Sequence, residues 1–357
     1  MLVRAQIPYY IHFIDELQGI DINWQSYSDV VLFSDDVVAS YHLQTVLKHL
    51  PNPPHVFTFP DGETYKTRET KALLEDYLLE LQLGRDILII ALGGGVVLDL
   101  IGFLAATYCR GVDVFYLPTS LMAMVDASMG GKTAVNTKHG KNMIGVFHQP
   151  IAVYMYMPFL YTLSDRQFLN GLSEVCKHAF ILDKELIDWL RLHRERILAR
   201  DINILQQMLK KSCVIKESVV YQDEFEQGMR EILNFGHTIG HALEVVSEYR
   251  LLHGEAVAIG MVIESFIAHQ LGYLHIEQVN QLIEVLRSFH LPISDSCLRQ
   301  QDGLLSLIQL DKKTKQQLPH MVILKDLGQC LLIEDNASFP ISEHIIRQAL
   351  CWGSQLC

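Results

Sequence analysis

Residues 87–108 form an apolar stretch, ILIIALGGGVVLDLIGFLAATY, that three consecutive glycines interrupt. The stretch is long enough to cross a bilayer, which takes about 20 residues. However, the glycines at 93–95 break it, and Asp99 lies within it. We therefore expect a buried strand, a tight turn and a buried helix here, and no membrane partner.

Two interpretations fit the glycine turn. Glycines between a strand and a helix let backbone N–H groups approach a phosphate, and the helix dipole favours an anion there. The turn equally suits close packing of the strand against the helix. The GxGxxG fingerprint is incomplete because Leu98 occupies the position of its third glycine. The turn alone therefore does not decide for nucleotide binding.

The first half of the chain alternates between strand-like and helix-like segments. Runs rich in β-branched and aliphatic residues occur at 29–33, 86–92 and 113–117, and helix-like segments occur at 36–49 and 67–83. Such alternation is typical of a mostly parallel sheet with helices on both faces. We expect a Rossmann-like α/β domain.

From about residue 164 onward, apolar residues recur at helical spacing. Examples are 184–198, 202–220, 231–248 and 254–271, and a short hairpin is expected at 320–332 around Gly328. We therefore predict an α/β domain over residues 1–162 and an all-α domain over residues 163–357. Clefts between domains commonly hold ligands, so we expect the active site in the interdomain cleft.

Acidic residues outnumber basic residues, 41 against 29, which gives a formal net charge of −12. Nucleic-acid affinity comes mostly from Lys and Arg at phosphates, so we expect no nucleic-acid partner. The seven cysteines are widely spaced and include no CxxC pair, as expected for free thiols in a reducing compartment. The first residues show no secretory signal pattern. We expect a cytoplasmic protein.

The segment 118–150 is too irregular for one helix and too apolar for a flexible loop. It contains Lys132, Lys138 and Lys141 near glycine turns, where ammonium and backbone N–H groups can bind oxyanions. Its GGKT sequence is not part of a P-loop, because Asp126 stands where GxxxxGK[ST] requires glycine. A phosphate contact and a solvated lysine loop both remain open.

Three histidines, His237, His241 and His253, lie close together in the second half. His237 and His241 are four residues apart and would share one face of a helix. Upstream, Glu174 and Lys177 also share a helical face. A carboxylate and two imidazoles with an open position form a ligand set for catalytic zinc, although a single histidine is more often a packed or surface residue. The HExxH protease signature is absent.

Basic residues flank these segments at Lys216, Arg230, Lys312 and Lys313. Each alone fits ordinary surface charge, and together they fit the binding of an anion. Arg230 lies seven residues before His237, which corresponds to about two turns if one helix contains both.

Taken together and in this order, the segments resemble 3-dehydroquinate synthase. The matching pieces are GGGVVLDLIGFLAATYCRG, PTSLMAMVDASMGGKTAVNTKHGKNMIGVFHQP, GLSEVCKHA, IKESVVYQDE, REILNFGHTIGHALE, HGEAVAIGM and DKK. The resemblance implies a Rossmann-like N-terminal domain and a helical C-terminal domain, in a homodimer. It also implies a shikimate-pathway reaction, from 3-deoxy-D-arabino-heptulosonate 7-phosphate to 3-dehydroquinate and phosphate. NAD transiently oxidises a ring hydroxyl, phosphate is eliminated, the ketone is reduced, and ring opening and aldol closure follow.

The resemblance also assigns roles to individual residues. It implies that Glu174, His237 and His253 bind Zn²⁺ or Co²⁺, and it places His241 beside the substrate for proton transfer. The other residues implied at the reacting groups are Asp126, Lys177 and Lys216. Lys216 and Arg230 are expected to hold the substrate carboxylate, which suits a planar guanidinium. Phosphate contacts are implied for Lys132, Asn142, Asn234 and Lys312 or Lys313, and for Arg110, which is expected to reach the neighbouring subunit.

For NAD, the resemblance implies a larger set of residues in the first domain. They are Asp35, Glu63, Lys66, Gly94, Gly95, Asp99, Thr119, Ser120, Lys132, Lys141, Phe159 and Thr162. The chain departs from the family at Leu98, where glycine is usual, so the side chain either crowds the turn or repacks the helix. It also departs at 311–320, which lacks an expected glycine.

Three other functions compete with this one. Another sugar-phosphate cyclase, of the 2-deoxy-scyllo-inosose or valiolone type, would share NAD and metal but act on a substrate without a carboxylate. A metal-dependent polyol dehydrogenase would release NADH at each turnover and need no phosphate site. A non-catalytic NAD-binding module would not need the metal ligands. The presence of Lys216 and Arg230 favours a carboxylate-bearing substrate.

Overall fold

The computed structural model describes residues 1–310, 318–334 and 336–356 of the chain. Contacts divide the chain into two compact units, Met1–Ser164 and Asp165–Cys357. Each unit has its own layers and its own core.

A seven-stranded, mostly parallel sheet forms the centre of the first unit. The strands are β1 (Leu2–Val3), β2 (Tyr9–Ile14), β3 (Asp29–Asp35), β4 (His55–Phe59), β5 (Ile87–Gly93) and β6 (Asp113–Pro118), with β9 (Ala152–Tyr156). A separate hairpin contains β7 (Lys132–Thr137) and β8 (Gly140–Phe147). The sheet order is β1-β2-β9-β6-β5-β3-β4, in which only β1 pairs antiparallel. The predicted α/β architecture is confirmed.

The helices of the first unit are short or of moderate length. They are α1 (Asp36–Val38), α2 (Gln44–Leu47), α3 (Arg68–Glu80) and α4 (Gly95–Thr107). A π-helical segment, Ala39–Leu43, joins α1 to α2, and a second one spans Ala123–Ala127. The predicted helix at 67–83 is confirmed as α3, and the one at 36–49 is interrupted by the π-helical segment.

The apolar stretch at residues 87–108 folds as a strand, a turn and a helix, as predicted. Every residue of β5 is buried, as expected for a central parallel strand covered on both faces. The chain then turns at Gly94 and continues as α4, which has 13 residues. Among the described residues, no helix combines the length and the apolarity that a membrane crossing requires.

The strand order of this sheet reverses direction between β3 and β5. The chain runs from β3 to β4 at one edge and then returns to the other side of β3 as β5, from which β6 continues away. Parallel α/β sheets bind ligands beyond the carboxyl ends of their strands, at such a reversal. Asp35 ends β3, and Gly93 ends β5, so both lie at this edge.

The second unit is mainly helical, as predicted. Its helices are α5 (Asp165–Leu182), α6 (Lys184–Leu192), α7 (Arg194–Leu198), α8 (Ile202–Gln222), α9 (His237–Val246), α10 (His253–Gln270), α11 (Ile276–Ser288), α12 (Gln301–Leu310) and α13 (Glu343–Gly353). A 3-10 helix spans Met229–Asn234. Helix α10 packs against α5, α9, α11 and α13, and its residues from Ala256 to Ser265 are buried.

In the second unit, two predicted helices are each divided into two shorter elements. The segment 184–198 divides at His193 into α6 and α7. The segment 231–248 divides at Gly236, whose φ of 79° is a left-handed conformation that favours glycine. The condition for a two-turn separation of Arg230 and His237 is therefore not met, because Arg230 lies in the 3-10 helix and His237 begins α9.

Short strands complete the second unit. They are β10 (His320–Val322), β11 (Leu324–Asp326), β12 (Gln329–Cys330) and β13 (Ser338–Pro340). The predicted hairpin around Gly328 is confirmed for β11 and β12, which pair Leu324 with Cys330. The residues of β10 pair instead with β13.

Candidate active site

Glu174, His237 and His253 come together in the second unit, as one group whose ligand atoms lie within 4.8 Å of one another. The Oε1 atom of Glu174 lies 3.7 Å from Nε2 of His237 and 3.8 Å from Nε2 of His253. Glu174 is fully buried on α5, while the two histidines begin α9 and α10. Burying a carboxylate is costly unless a cation or hydrogen bonds compensate it. The donor set and its burial both fit a divalent metal ion.

Both imidazoles turn their Nδ1 atoms away from Glu174. Nδ1 of His237 lies 3.1 Å from the carbonyl oxygen of Phe235, which can only accept, so Nδ1 carries the proton. Nδ1 of His253 lies 3.5 Å from Oε2 of Glu244. Such outer partners fix the tautomer and leave the Nε2 lone pair for a metal. The two Nε2 atoms are therefore oriented as ligands.

Lys177 contacts the same carboxylate. It lies one turn after Glu174 on α5, is 1% exposed, and forms an ion pair with Oε2 of Glu174. Glu174 thus presents Oε1 to the two imidazoles and Oε2 to an ammonium group. The resemblance placed Lys177 at the reacting hydroxyls, and in the structure it lies beside the cluster of Glu174, His237 and His253.

A close contact between α5 and α10 brings Glu174 near His253. The N–H of Gly254 donates to Oδ1 of Asn170 at 2.6 Å. A side chain on Gly254 would lie 2.0 Å from the carbonyl oxygen of Asn170, so only glycine permits this approach. Neither Asn170 nor Gly254 is among the residues predicted from the sequence, where the only signal is a glycine directly after a candidate ligand.

His241 lies beside the cluster without joining its ligand group. Its ring centroid is 5.4 Å from that of His237 and 6.0 Å from that of His253. Its own group contains Glu244 and His253. Among the described residues, no group of candidate ligands contains both His237 and His241. The pairing that their spacing suggests is therefore not the one found.

The carboxylate of Asp223 stabilises the loop that leads to Arg230 and Asn234. Asp223 accepts hydrogen bonds from the N–H groups of Gln227, Gly228 and Arg230, at 2.9, 2.8 and 3.0 Å. Burial alone would raise the pKa of Asp223, but these hydrogen bonds outweigh it and lower the pKa. Asp223 therefore fixes the backbone from which the Arg230 side chain projects.

The side chains of this region are themselves anchored. Arg230, 1% exposed, donates from Nη1 to the carbonyl oxygen of Glu224. Asn234 donates to Oε1 of Glu226 at 3.1 Å. Lys216, on α8, is 4% exposed, and α8 packs against the 3-10 helix that contains Arg230. Two cationic side chains are thus buried in neighbouring elements.

The glycine turn of the first unit lies close to the residues that directly follow β6. Gly94 caps α4 without a side chain, and the N–H of Thr119 donates to the carbonyl oxygen of Gly93 at 2.9 Å. A side chain on Gly94 would lie 3.5 Å from Oγ of Ser120. Leu98 is 1% exposed and forms the first helical hydrogen bond, to Gly94 at 3.1 Å. Leucine here is a core residue that leaves the turn intact.

A polar network lies next to this turn. Lys66 is buried, forms an ion pair with Asp99 of α4, and donates to Oδ1 of Asn142 at 2.7 Å. The N–H of Asn142 donates to Asn136 at 3.0 Å, and Asn136 donates to Oε1 of Glu63 at 2.6 Å. Burial raises the pKa of Asp99, and the Lys66 ammonium opposes this. Asn142, predicted at the substrate phosphate, thus lies among residues predicted for NAD, and Asn136 was not selected for either role.

Three further predicted residues lie near the carboxyl ends of the strands. Oδ1 of Asp35 accepts the N–H of Val38 at 2.7 Å and so caps α1. The hydroxyl of Thr162 lies 2.8 Å from Nε2 of His42, whose ring centroid is 4.6 Å from that of Phe159. His42, which the sequence analysis did not select, therefore connects Phe159 and Thr162.

The remaining predicted residues are more dispersed. Asp126 lies in a π-helical segment, Lys132 begins β7 and Lys141 lies in β8. Arg110 is exposed with a φ of 66°. Lys312 and Lys313 lie outside the described residues.

Family sequence models match most of the chain. The model described as 3-dehydroquinate synthase N-terminal matches residues 56–170, and the C-terminal one matches residues 171–314. The chain belongs to the 3-dehydroquinate synthase family. A 3-dehydroquinate synthase of Pseudoalteromonas translucida is 42% identical over 308 residues, which cover 85% of this chain and 86% of that protein. The resemblance inferred from the motifs is confirmed.

Solved structures of similar fold include two synthases with other names. One is the 2-epi-5-epi-valiolone synthase of Streptomyces hygroscopicus with NAD⁺ and Zn²⁺ bound, at a TM-score of 0.89 and 25% identity over 99% of this chain and 98% of that one. Another is a 2-deoxy-scyllo-inosose synthase with carbaglucose-6-phosphate, NAD⁺ and Co²⁺, at 0.86 and 23% over 98% of each chain. Identity is much higher to the 3-dehydroquinate synthase than to either structure.

Proposed function

We propose that this protein is an NAD- and divalent-metal-dependent 3-dehydroquinate synthase of the shikimate pathway. Its substrate is 3-deoxy-D-arabino-heptulosonate 7-phosphate, and its products are 3-dehydroquinate and phosphate. The observation that carries this proposal is the buried Glu174, with two imidazole Nε2 atoms facing its Oε1 atom, in a chain 42% identical to a named synthase.

Glu174, His237 and His253 hold the metal ion in this proposal. A divalent cation held there, Zn²⁺ or Co²⁺, would supply Lewis acidity, which lowers the pKa of a hydroxyl and polarises a carbonyl group. Glu244 and the carbonyl of Phe235 keep the Nδ1 atoms protonated, so that both histidines bind as neutral ligands. Lys177 balances the charge on the second oxygen of Glu174.

NAD belongs to the carboxyl edge of the first unit's sheet. Bound there, NAD would supply hydride transfer in both directions, so that no net NADH would form in a turnover. The bare glycine turn before α4 presents backbone N–H groups to the pyrophosphate. The Lys66–Asp99 pair fixes the lysine ammonium beside this turn, and Asp35, Thr119, Ser120, Phe159 and Thr162 complete the set.

The substrate carries two anionic groups, and separate residues bind them. Lys216 and Arg230 hold the carboxylate, and the buried guanidinium offers two parallel donors to it. Lys132, Asn142, Asn234 and Lys312 or Lys313 bind the phosphate. The imidazole of His241 exchanges a proton with a substrate oxygen, and Asp126 and Lys177 contact the reacting hydroxyls.

We also propose that the enzyme is a cytoplasmic homodimer, in which Arg110 contributes to the neighbouring subunit's phosphate site. Arg110 is exposed and follows Cys109, and both residues have positive φ angles, 66° and 47°. Two successive non-glycine residues in this conformation are strained, and strained backbone often occurs at functional positions, which supports a functional role for Arg110.

A reaction assay tests the proposed function. Purified protein is incubated with the heptulosonate phosphate, NAD and Zn²⁺ or Co²⁺, and phosphate release is measured together with 3-dehydroquinate. We expect both products in equal amounts, and no product after the metal is removed by a chelator.

Two control substrates separate the competing functions. Glucose 6-phosphate, which lacks a carboxylate, should release no phosphate if the substrate class is correct, and glycerol should generate no NADH. Phosphate release from glucose 6-phosphate with none from the heptulosonate would instead indicate a different cyclase. Steady NADH production from glycerol would indicate a polyol dehydrogenase.

A further inference from the structure

Glu264 is a fully buried carboxylate that the reaction does not use. It lies on α10, is 0% exposed, and reaches the beginning of α9, 28 residues earlier in the chain. Its Oε2 atom accepts the N–H of Gly236 at 2.7 Å, and its Oε1 atom lies 3.5 Å from the N–H of Ile239. A buried carboxylate is costly, so these contacts indicate a specific role.

Helix α9 begins without a capping side chain of its own. The first N–H groups of any helix have no partner within it, and they are usually satisfied by a Ser, Thr, Asp or Asn at the cap. Here the cap is Gly236, which has no side chain. The carboxylate of Glu264 takes over this function, and the positive end of the α9 dipole stabilises its negative charge.

The two helices also meet backbone to backbone at this point. A side chain on Gly260 of α10 would lie 1.9 Å from the carbonyl oxygen of Gly236, and one on Gly240 of α9 would lie 3.2 Å from the Cα of Val257. Glycine at 260 is therefore required for the contact. Glu264 lies one turn after Gly260, and its hydrogen bond links the same two segments.

The contact between the start of α9 and α10 fixes the positions of the two histidines that face Glu174. His237 is the first residue of α9 and directly follows Gly236, while His253 is the first residue of α10. Any shift of the α9 start relative to α10 changes the distance between the two Nε2 atoms and Oε1 of Glu174, which is now 3.7 and 3.8 Å. Metal sites lose affinity when their supporting contacts loosen.

We propose that Glu264 is a positioning residue for the metal site, which holds the start of α9 against α10 so that His237 and His253 reach one ion. It is not a ligand itself. This inference rests on the proposed metal role of Glu174, His237 and His253.

The test measures metal affinity rather than turnover. Glu264→Gln keeps the size of the side chain and removes its charge. We expect its affinity for Zn²⁺, measured by chelator competition on the metal-free protein, to fall about tenfold or more, as for other outer partners of metal ligands. The visible spectrum of the Co²⁺-loaded variant should also differ from that of the wild type, because the ligand geometry changes.

Asp183→Asn is the matched control. Asp183 caps α6 by accepting the N–H of Leu186 at 2.9 Å, and α6 contains none of the proposed site residues. This variant loses a helix cap of similar kind, so its Zn²⁺ affinity should equal that of the wild type. Equal losses of affinity in both variants would overturn the proposal, and so would a Glu264→Gln affinity within about twofold of wild type.

A second variant decides the question if Glu264→Gln does not fold. Glu264→Asp keeps the charge on a shorter side chain, and we expect it to bind Zn²⁺ more weakly than the wild type, whereas wild-type affinity would overturn the proposal. If the wild-type protein itself binds no metal, the proposed function fails instead, so the two failures are distinguishable.

Discussion

His237 and His241 lie on the same helix with their rings 5.4 Å apart, yet they differ in what surrounds each ring. His237 has Nδ1 on a backbone carbonyl and Nε2 towards the buried Glu174. His241 is half-exposed and belongs to a different candidate group. These surroundings support the proposed metal role of His237 and distinguish it from His241, whose proposed role is proton exchange with the substrate.

Substituting the two histidines separates these roles. His237→Ala should lose both bound Zn²⁺ and activity, because two remaining ligands hold zinc poorly. His241→Ala should retain about one zinc per chain and lose mainly turnover, by roughly 10²–10⁴-fold as for a proton-transfer residue. Metal analysis and phosphate release on both variants provide the test. Full zinc content in His237→Ala would contradict the assignment.

Arg230 offers a second test at the residue scale. Arg230→Ala should raise KM for the heptulosonate phosphate more than it lowers kcat, because a charge-assisted contact of about 1.5–3 kcal/mol to the carboxylate is lost. Arg230→Lys should recover part of the affinity, since it keeps the charge and loses the planar fork. Lys216→Met should behave like Arg230→Ala. Unchanged KM and kcat in Arg230→Ala would reject the carboxylate role.

The sequence was sufficient to predict the proposed metal ligands, but it did not reveal the residues that hold functional side chains in position. Glu174, His237 and His253 were selected through the motifs that the family shares. His42, Asn170 and Glu264 were missed, because each acts through a partner 28 or more residues away. Such contacts have no local sequence pattern.

At the scale of elements, buried strands were the most predictable. The segments at 29–33, 86–92 and 113–117 became β3, β5 and β6, because a strand covered on both faces is a continuous apolar run. The β7–β8 hairpin was not predicted, since β8 is mostly exposed and lacks an apolar pattern. The break at Gly236 was missed because helical spacing continues on both sides of it.

The loop after α8 is held by Asp223, which makes its stability dependent on pH. The pKa of Asp223 is lower in the folded protein than its ordinary value of about 4. A lowered pKa adds stability above the unfolded-state pKa, and this is lost as the pH falls through the folded-state value.

Asp223→Asn should reveal this contribution. The variant should be less stable at neutral pH by about 1–3 kcal/mol, because hydrogen bonds to a charged acceptor are replaced by weaker ones. The difference from wild type should shrink as the pH falls below about 4, where the carboxylate becomes protonated in the unfolded chain, and it should be smallest below the lowered pKa of the folded protein. Urea unfolding at neutral and acidic pH measures both values. A difference that grows in acid would contradict the role of the charge.

At the scale of the whole molecule, the net charge of −12 contrasts with the proposed substrate, which carries two anionic groups. The two are compatible, because the net charge of a protein governs its solubility and long-range interactions, whereas substrate binding depends on the charged groups at the site itself. Lys216 and Arg230 are buried at 4% and 1% exposure, so these two positive charges lie away from the outer surface, as their proposed contact with the substrate carboxylate requires. The expectation of no nucleic-acid partner, which rests on the net charge, is therefore compatible with a small anionic substrate.

The use of NAD as a recycled cofactor distinguishes the proposed reaction from simple dehydrogenation. The direct measurement is product formation with the heptulosonate phosphate in large excess over NAD, in the presence of Zn²⁺. We predict that phosphate and 3-dehydroquinate far exceed the total NAD, while NADH absorbance stays flat after the first turnover. Product that stops at the amount of NAD, or NADH that accumulates in proportion to product, would contradict the proposed function.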